Sequence, residues 1–245
     1  MKTAGLIHIG TSGWHYRHWR GPFYPETLGS EGFLAFYARH FHTVEINNSF
    51  YQLPTERALS TWRDGVPPGF IFSVKGSRFI THMKKLKDPE RSLAPFLERV
   101  PLLKDKLGPI LFQLPPGWHF NRERLAAFLT ALPETWRYTL ELRDQSWIND
   151  QTLDLLMQYN VAFCIYDLGG YLSPLEVTAD FVYIRLHGPK GPYQGRYLAQ
   201  TLEEWAGAIA AWSRQGREVF CYFDNDEAGF AAQNAWQLQN LLINR

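Results

Sequence analysis

The sequence predicts a single domain, residues 1–245, folded as a (β/α)8 barrel. Three observations carry that expectation. Eight short runs rich in β-branched and aromatic residues recur along the chain, and several, such as ILFQL and VAFCIY, are apolar at nearly every position. Strands covered on both faces read this way, because a parallel sheet buried under helices has no solvent side to mark with polar residues. Helical segments separate most of the runs in a repeat of roughly 30 residues, and eight such units closing into a barrel need about 250 residues. The alternative is an open, doubly wound parallel sheet, since strand count alone does not prove closure. No linker, low-complexity stretch or glycine-rich hinge marks a second domain.

The elements follow in order. Leu6–Gly10 is the first strand, and Glu31–His40, carrying Phe33, Leu34, Phe36 and Tyr37, is the helix after it. Thr43–Ile46 is the second strand, followed by a helix Glu56–Asp64 that Thr55 can cap. After the third strand, Phe70–Val74, Asp88 and Pro89 form a cap and first-turn pair for a helix through Glu98. Ile110–Leu114 leads to Asn121 and a helix Arg122–Leu132, and Tyr138–Leu142 leads to Asn149 or Asp150 and a helix to Tyr159. The sixth strand, Ala162–Tyr166, has only a short, irregular connection around Ser173–Ala179. Phe181–Leu186 precedes a Thr201/Glu204 capping box that opens a helix to Arg214. Val219–Phe223 closes the set, with Asp226 leading into a helix Ala228–Leu242.

Composition narrows the function. Lys and Arg number 25 against 24 Asp and Glu, a formal charge of +1, which disfavours non-specific nucleic-acid binding. Two cysteines, Cys164 and Cys221, are too few for a disulfide framework, and their mid-strand places among large apolar residues point to core packing. No apolar run reaches the roughly 18 residues of a membrane span, and the start lacks the apolar stretch of a signal peptide. The expectation is a cytoplasmic protein with no membrane partner.

In a (β/α)8 barrel the functional site lies at the carboxyl ends of the strands. There the chain offers Trp14 and Tyr16 after the first strand, Glu45, Asn47 and Tyr51 around the second, and Lys75 and His82 after the third. Gln113 follows on the fourth, Glu141 and Arg143 on the fifth, Asp167 on the sixth, Arg185 and His187 on the seventh, and Asn225 after the eighth. Glu45, Glu141 and Arg185 are flanked by apolar strand residues, and a charge there is costly unless paired or ligand-bound. A structural salt-bridge network would satisfy them equally well. An aromatic rim, with His15, His18, Trp19, Phe50, Trp147, Tyr193 and Tyr197 added, offers stacking surface for sugars or bases or else plain loop packing. Lys84, Lys85 and Lys190 add positive charge to attract an anion.

The segments GTSGWHYRHW, TVEINNSFYQLP, FSVKGSRFITH, GPILFQLPP, ELRDQSW, YIRLHG and YFDND resemble, in order and over nearly the whole chain, the YecE-like family, domain of unknown function 72. The resemblance implies a TIM-type barrel and a residue list, and it brings no reaction. One departure is visible: the last strand reads FDND where the family usually has FNND, so Asp224 adds a negative charge at the site or beside it.

Several barrel chemistries fit poorly. The first strand has His8 alone rather than a His-x-His pair. Gln113 and Arg185/His187 occupy the places where common retaining glycosidases put carboxylates, and no HExxH, phosphate-loop or dinucleotide signature occurs. Two classes stay open. One is a hydrolase or lyase acting on a small anionic molecule, such as a phosphate ester or sugar phosphate. Glu45, Glu141, Asp167 and His187 would then be acid/base groups or ligands of one divalent metal ion, with Lys75, Arg143 and Arg185 holding the anion. A DNA-repair-type endonuclease is a version of this reading by fold analogy alone. The other class is a non-catalytic module that binds an anionic or sugar-like ligand.

Overall fold

The computed structural model describes residues 3–243. Its strands are β1 (Ile7–Thr11), β2 (Thr43–Ile46), β3 (Ile71–Lys75), β4 (Leu107–Leu114), β5 (Tyr138–Leu142), β6 (Ala162–Leu168), β7 (Tyr171–Leu172), β8 (Phe181–Leu186) and β9 (Glu218–Phe223). All but β7 are parallel and pair in the order β1-β9-β8-β6-β5-β4-β3-β2. Sequence order is kept around the sheet, with no switch point, so the two ends of the series come together as a barrel rather than splaying as a doubly wound sheet.

The seam lies between β1 and β2. At its upper end the Gly13 N–H donates to the Glu45 carbonyl at 2.8 Å, and Ser12 and Glu45 form a parallel bridge. Lower down a side chain completes the ladder. The Tyr37 hydroxyl, from α1 (Phe33–Tyr37), accepts from the Thr11 N–H at 2.9 Å and donates to the Thr43 carbonyl at 3.0 Å. That phenol satisfies two backbone groups that would otherwise be buried and unpaired. Gly10 permits the approach of the strands, because a Cβ there would lie 2.3 Å from the Thr43 carbonyl oxygen.

The helices outside the ring are α1, α2 (Glu56–Asp64), α3 (Pro89–Arg99), α4 (Arg122–Thr130), α5 (Asp150–Gln158), α6 (Ala199–Arg214) and α7 (Phe230–Ile243). Three predicted caps form: the side chains of Thr55, Asn121 and Asn149 accept from the N–H groups of Ala58, Arg124 and Thr152 at 2.9–3.1 Å. Two predicted starts are corrected. Asp88 precedes α3 with φ of 47°, a left-handed conformation, and its side chain makes no cap bond. Thr201 lies inside α6, which begins two residues earlier behind Leu198, so the Thr201/Glu204 box does not open the helix. The sixth connection carries no α-helix. The chain turns back as β7, antiparallel to β6, and then runs without regular structure to β8.

Two apolar layers hold the fold. A large cluster, including Trp19, Phe33, Phe72, Phe112, Trp147, Ile165 and Leu238, fills the space between strands and helices. A smaller one, with Leu111, Ala162, Cys164, Phe181, Tyr183, Phe220 and Tyr222, plugs the lower barrel. Both cysteines are buried and burial pushes both thiols up, consistent with packing rather than reactivity. No helix of the described residues is long and apolar enough to cross a membrane.

Candidate functional site

Strand alternation decides which polar residues meet. On β8, Tyr183 and Arg185 point inward, and His187 continues that face past the strand end. The β8–β9 register sets Arg185 beside Tyr222 and carries Asp224 to the same height as His187. From the far side of the ring, β2 delivers Glu45 and β5 delivers Glu141.

These groups form one buried network centred on Arg185. Its Nη2 lies 2.7 Å from Glu45 Oε1 and 3.0 Å from Asp224 Oδ2, and its Nη1 lies 2.7 Å from Glu141 Oε2. Ser12 and Tyr183 each donate a hydroxyl to Glu45 at 2.6 Å. His187 bridges the upper side, with Nδ1 3.0 Å from Asp224 Oδ2 and Nε2 3.3 Å from Glu141 Oε1. Arg143 pairs with Glu141 through Nε, and its Nη2 lies 3.0 Å from His187 Nε2. Glu45, Glu141, Arg185 and His187 are all 0% exposed.

Pairing overrides burial here. Burial alone would raise the Glu141 and Asp224 carboxyls, yet both lie below their usual range. Arg143, Arg185 and His187 hold Glu141 down, and Arg185 with His187 hold Asp224 down. Burial likewise opposes the Arg185 cation, and Glu45, Glu141 and Asp224 reverse that effect.

Lys75 is different. It is only 5% exposed at the end of β3, yet it forms no ion pair or side-chain hydrogen bond among the described residues. Its ammonium rests over the Phe50 ring, 4.4 Å from the centroid. Burial and the nearby Arg185 cation push its pKa down to about 8. His82, on a π-helical turn (Phe79–Met83), meets the other side of this region, with its ring 4.9 Å from Phe50. Burial and the cations Lys75, Arg78 and Arg143 push the His82 imidazole down. At Lys75 the carboxylates Glu141, Asp224 and Glu45 work against that shift.

On the opposite rim stands Asp226, which lies outside the set of residues expected from sequence. Its backbone carbonyl is held by Trp19 Nε1 at 3.0 Å and lies 2.6 Å from His18 Nε2. Burial, then repulsion from Asp224, raises its carboxyl to about 6. Tyr16 borders the same region: burial, Asp224, Asp226 and Glu45 raise its phenol well above the ordinary value. Beyond Tyr16 a groove of about 470 Å³ is lined by Gly13, Trp14, His15, Tyr16, Asn47, Asn48 and Trp62.

The barrel thus brings Glu45, Glu141, Arg143, Arg185 and His187 into one network, with Lys75 and His82 beside it and Trp14, Tyr16 and Asn47 in the adjoining groove. Four expected residues do not join. Asp167 pairs in register with Leu186, so it has the opposite parity to Tyr166 and Arg185 and turns away from the interior. Its carboxyl is raised by burial against a bond with Tyr197. Asn225 follows Asp224 and turns outward, donating to the Gly195 carbonyl and to Asn234 at 2.8 and 3.0 Å. Gln113 lies beside Glu141 in register and Tyr51 is exposed on the rim, neither with a side-chain contact to the network. Of the aromatic rim, Trp14, Trp19, Trp147 and Tyr197 are buried in the core, Trp14 with 6% of its surface left at the groove.

The expected divalent-metal set of Glu45, Glu141, Asp167 and His187 does not assemble. No group of three or more His, Cys, Asp or Glu among the described residues is arranged to hold a metal ion. Asp167 faces the wrong way, and the Arg185 guanidinium fills the space among Glu45, Glu141 and Asp224 that a cation would occupy. Sequence reasoning placed Ser12 at the end of the first strand without giving it a role, and passed over Tyr183 and Trp62. Ser12 and Tyr183 touch Glu45 from other strands, and only barrel register reveals it.

A family model described as a protein of unknown function, DUF72, matches residues 8–245. UPF0759 protein YunF of Bacillus subtilis is 27% identical over 275 aligned positions, covering 97% of this chain and 95% of the relative. UPF0759 protein YecE of Escherichia coli K12 is 31% identical over 156 positions, covering 61% of this chain and 54% of the relative. Among solved structures, a DUF72 family protein from Thermotoga maritima superposes with a TM-score of 0.87 at 29% identity, covering 97% of this chain and 99% of that one. One from Enterococcus faecalis superposes at 0.83 with 22% identity, covering 97% and 96%, and bears on the fold alone.

Proposed function

Because this chain belongs to the DUF72 family, whose solved members share its barrel, we propose that it uses the barrel mouth to bind a small anionic molecule and process it by proton transfer, as a hydrolase or lyase does. The observation that supports this is Lys75. Among the described residues, the other charges buried that deeply in the mouth, Glu45, Glu141, Arg185 and Asp224, are each paired with an opposite charge. A nearly buried ammonium with no such partner keeps its attraction for an incoming anion, and desolvation strengthens that attraction.

The roles follow from the geometry. Lys75, with Arg143 and His82 beside it, holds the anion. Glu45, Glu141 and Asp224 are positioning residues: they fix Arg185 and Arg143, and through them the charge of the floor under the ligand. Proton transfer falls to the groups whose pKa values are pushed toward neutrality, the Asp226 carboxyl at about 6 and the Lys75 amine at about 8. His187, with Nδ1 beside Asp224 and Nε2 beside Glu141 and Arg143, is a further positioning residue of the floor. The complete burial of Glu45, Glu141 and His187 favours a second reading, a module that binds the anion without turning it over.

Calorimetric titration with inorganic phosphate and sugar phosphates tests the binding. Lys75→Met should weaken it at least tenfold, and wild-type affinity should fall as pH rises through about 8, where Lys75 loses its proton. Binding that ignores both the substitution and the pH would overturn the proposal. A turnover panel on phosphate esters and sugar phosphates then separates the two readings. Asp226→Asn should abolish turnover while keeping affinity, whereas tight binding with no turnover in the wild type leaves the binding module.

A further inference from the structure

The groove beside the mouth carries chemistry that the anion site does not use. Gly13, Trp14, His15 and Tyr16 come from the loop after β1, Asn47 and Asn48 from the turn after β2, and Trp62 from α2. The Trp14 and Trp62 rings pack edge to face, at 88° with centroids 5.1 Å apart. Trp14 is only 6% exposed and also packs on Phe72, so the apolar corner is the open surface of the half-buried Trp62 beside the rim of Trp14. No Lys, Arg, Asp or Glu lines it. Asn47, Asn48 and the two indoles make no side-chain hydrogen bonds among the described residues, although each offers a donor and the amides also offer acceptors.

The corner is also rigid. Gly13 adopts φ of +94°, and a Cβ there would lie 2.8 Å from the Tyr16 hydroxyl. That hydroxyl donates to the Ser12 carbonyl at 2.6 Å, and the Tyr24 hydroxyl donates to the Trp14 carbonyl at 2.5 Å. The groove adjoins the mouth through two links. Asn47 follows directly on the end of β2, two residues beyond Glu45, where the chain turns into Asn48–Phe50. The turn Asn48–Phe50 carries both a groove residue and the ring beneath Lys75, and Ser49 Oγ ties it to the Lys75 carbonyl at 2.6 Å.

We infer that this groove is a subsite for a neutral sugar ring, so that the molecule taken by the mouth is a sugar phosphate whose phosphate lies at Lys75. The inference rests on the anion reading above. An apolar corner suits the C–H face of a pyranose or furanose, and uncommitted carboxamides and indole N–H groups suit its hydroxyls. The groove has ample room for a sugar ring, and the absence of charged lining argues for a neutral ring rather than a second anionic group.

The test compares glucose 6-phosphate, ribose 5-phosphate and inorganic phosphate by calorimetry on the wild type, Trp62→Leu and Asn48→Ala. Asn48 is exposed, so its truncation leaves the fold intact. At least one sugar phosphate should bind ten-fold or more tightly than inorganic phosphate, which has no ring. Either substitution should reduce that ratio several-fold, and sugar phosphate should quench the tryptophan fluorescence of the wild type more than phosphate does. A ratio near one, or one untouched by both substitutions, overturns the sugar subsite while leaving phosphate binding at Lys75 in place. Adenosine binding more tightly than ribose would replace the sugar with a base and overturn it too. Failure of phosphate to bind, with sugar phosphates insensitive to Lys75→Met, defeats the anion reading instead.

Discussion

The two ends of the barrel solve the same electrostatic problem differently. At the lower end Glu218 is the lone carboxylate between two partners. It lies 2.7 Å from His8 Nε2 and 2.5 Å from Arg137 Nη1, while Arg137 also packs over the Phe181 and Phe220 rings at 5.4 and 4.9 Å. All three side chains keep some contact with water. At the mouth one guanidinium serves three carboxylates, three of those four groups are wholly buried, and a neighbouring ammonium is left without a partner. The lower cluster is complete within the protein. The upper one leaves an ammonium without a hydrogen-bonded counter-ion among the described residues, which is the difference the proposed anion site rests on.

The strongest way to break this contrast is Arg185→Met. It would strip Glu45 of its cation and leave Glu141 and Asp224 with only Arg143 and His187, and buried charge left without its partner costs about 3–5 kcal/mol. Urea unfolding at pH 7 should show that loss, and the deficit should shrink toward pH 4 as the stranded carboxyls take up protons. A loss below about 1 kcal/mol would mean that the network is open to solvent and its charges only weakly coupled.

Lys75→Met should act in the opposite direction. Its folded pKa, about 8, lies below the ordinary 10.5, so the folded state disfavours the ammonium. That cost is fully present below pH 8 and disappears as pH rises from 8 to 10.5, because the unfolded chain holds the proton longer. Removing the amine should therefore stabilise the protein at pH 7 by up to roughly 3 kcal/mol, with the gain fading above pH 8. A destabilised variant at pH 7 would show that Lys75 is a structural cation like Arg137, and the asymmetry between the two ends would vanish.

The fold was largely legible because burial on both faces writes itself into a parallel strand. Thr43–Ile46, Tyr138–Leu142 and Phe181–Leu186 have the same limits in the sequence reading and in the structure. The misreadings were local. Asp88 has a capping side chain but a left-handed backbone, and Leu198 begins a helix with no capping side chain at all. In the site, pairs two residues apart such as Arg185 and His187 were legible from strand period alone. Asp167 was not, because its parity depends on the register of β6 against β8, which no local pattern records. Asp226 was visible as a charge but not as a raised carboxyl, since that depends on Asp224 and on burial by the first loop. Trp62 gave no signal on its helix, and only the approach of α2 to the loop after β1 makes it a groove wall.

The finest test lies at the lower end. Burial would raise the Glu218 carboxyl, but His8 and Arg137 hold it below its ordinary value. It therefore contributes stability above the usual carboxylate range, lost as pH falls through its lowered folded pKa. Glu218→Gln keeps the volume and one acceptor and removes only the charge, from a group that still touches water. Exposed pairs of this sort contribute about 0.2–1 kcal/mol, so the variant should lose no more than that at pH 7. Salt makes the comparison decisive. In 1 M NaCl the Debye length falls to about 3 Å, and the Glu218→Gln deficit should largely vanish. The Arg185→Met deficit, shielded from ions by the barrel wall, should persist. If the two respond to salt alike, the mouth network is open to solvent, and Lys75 loses the low-dielectric setting on which its pull on an anion depends.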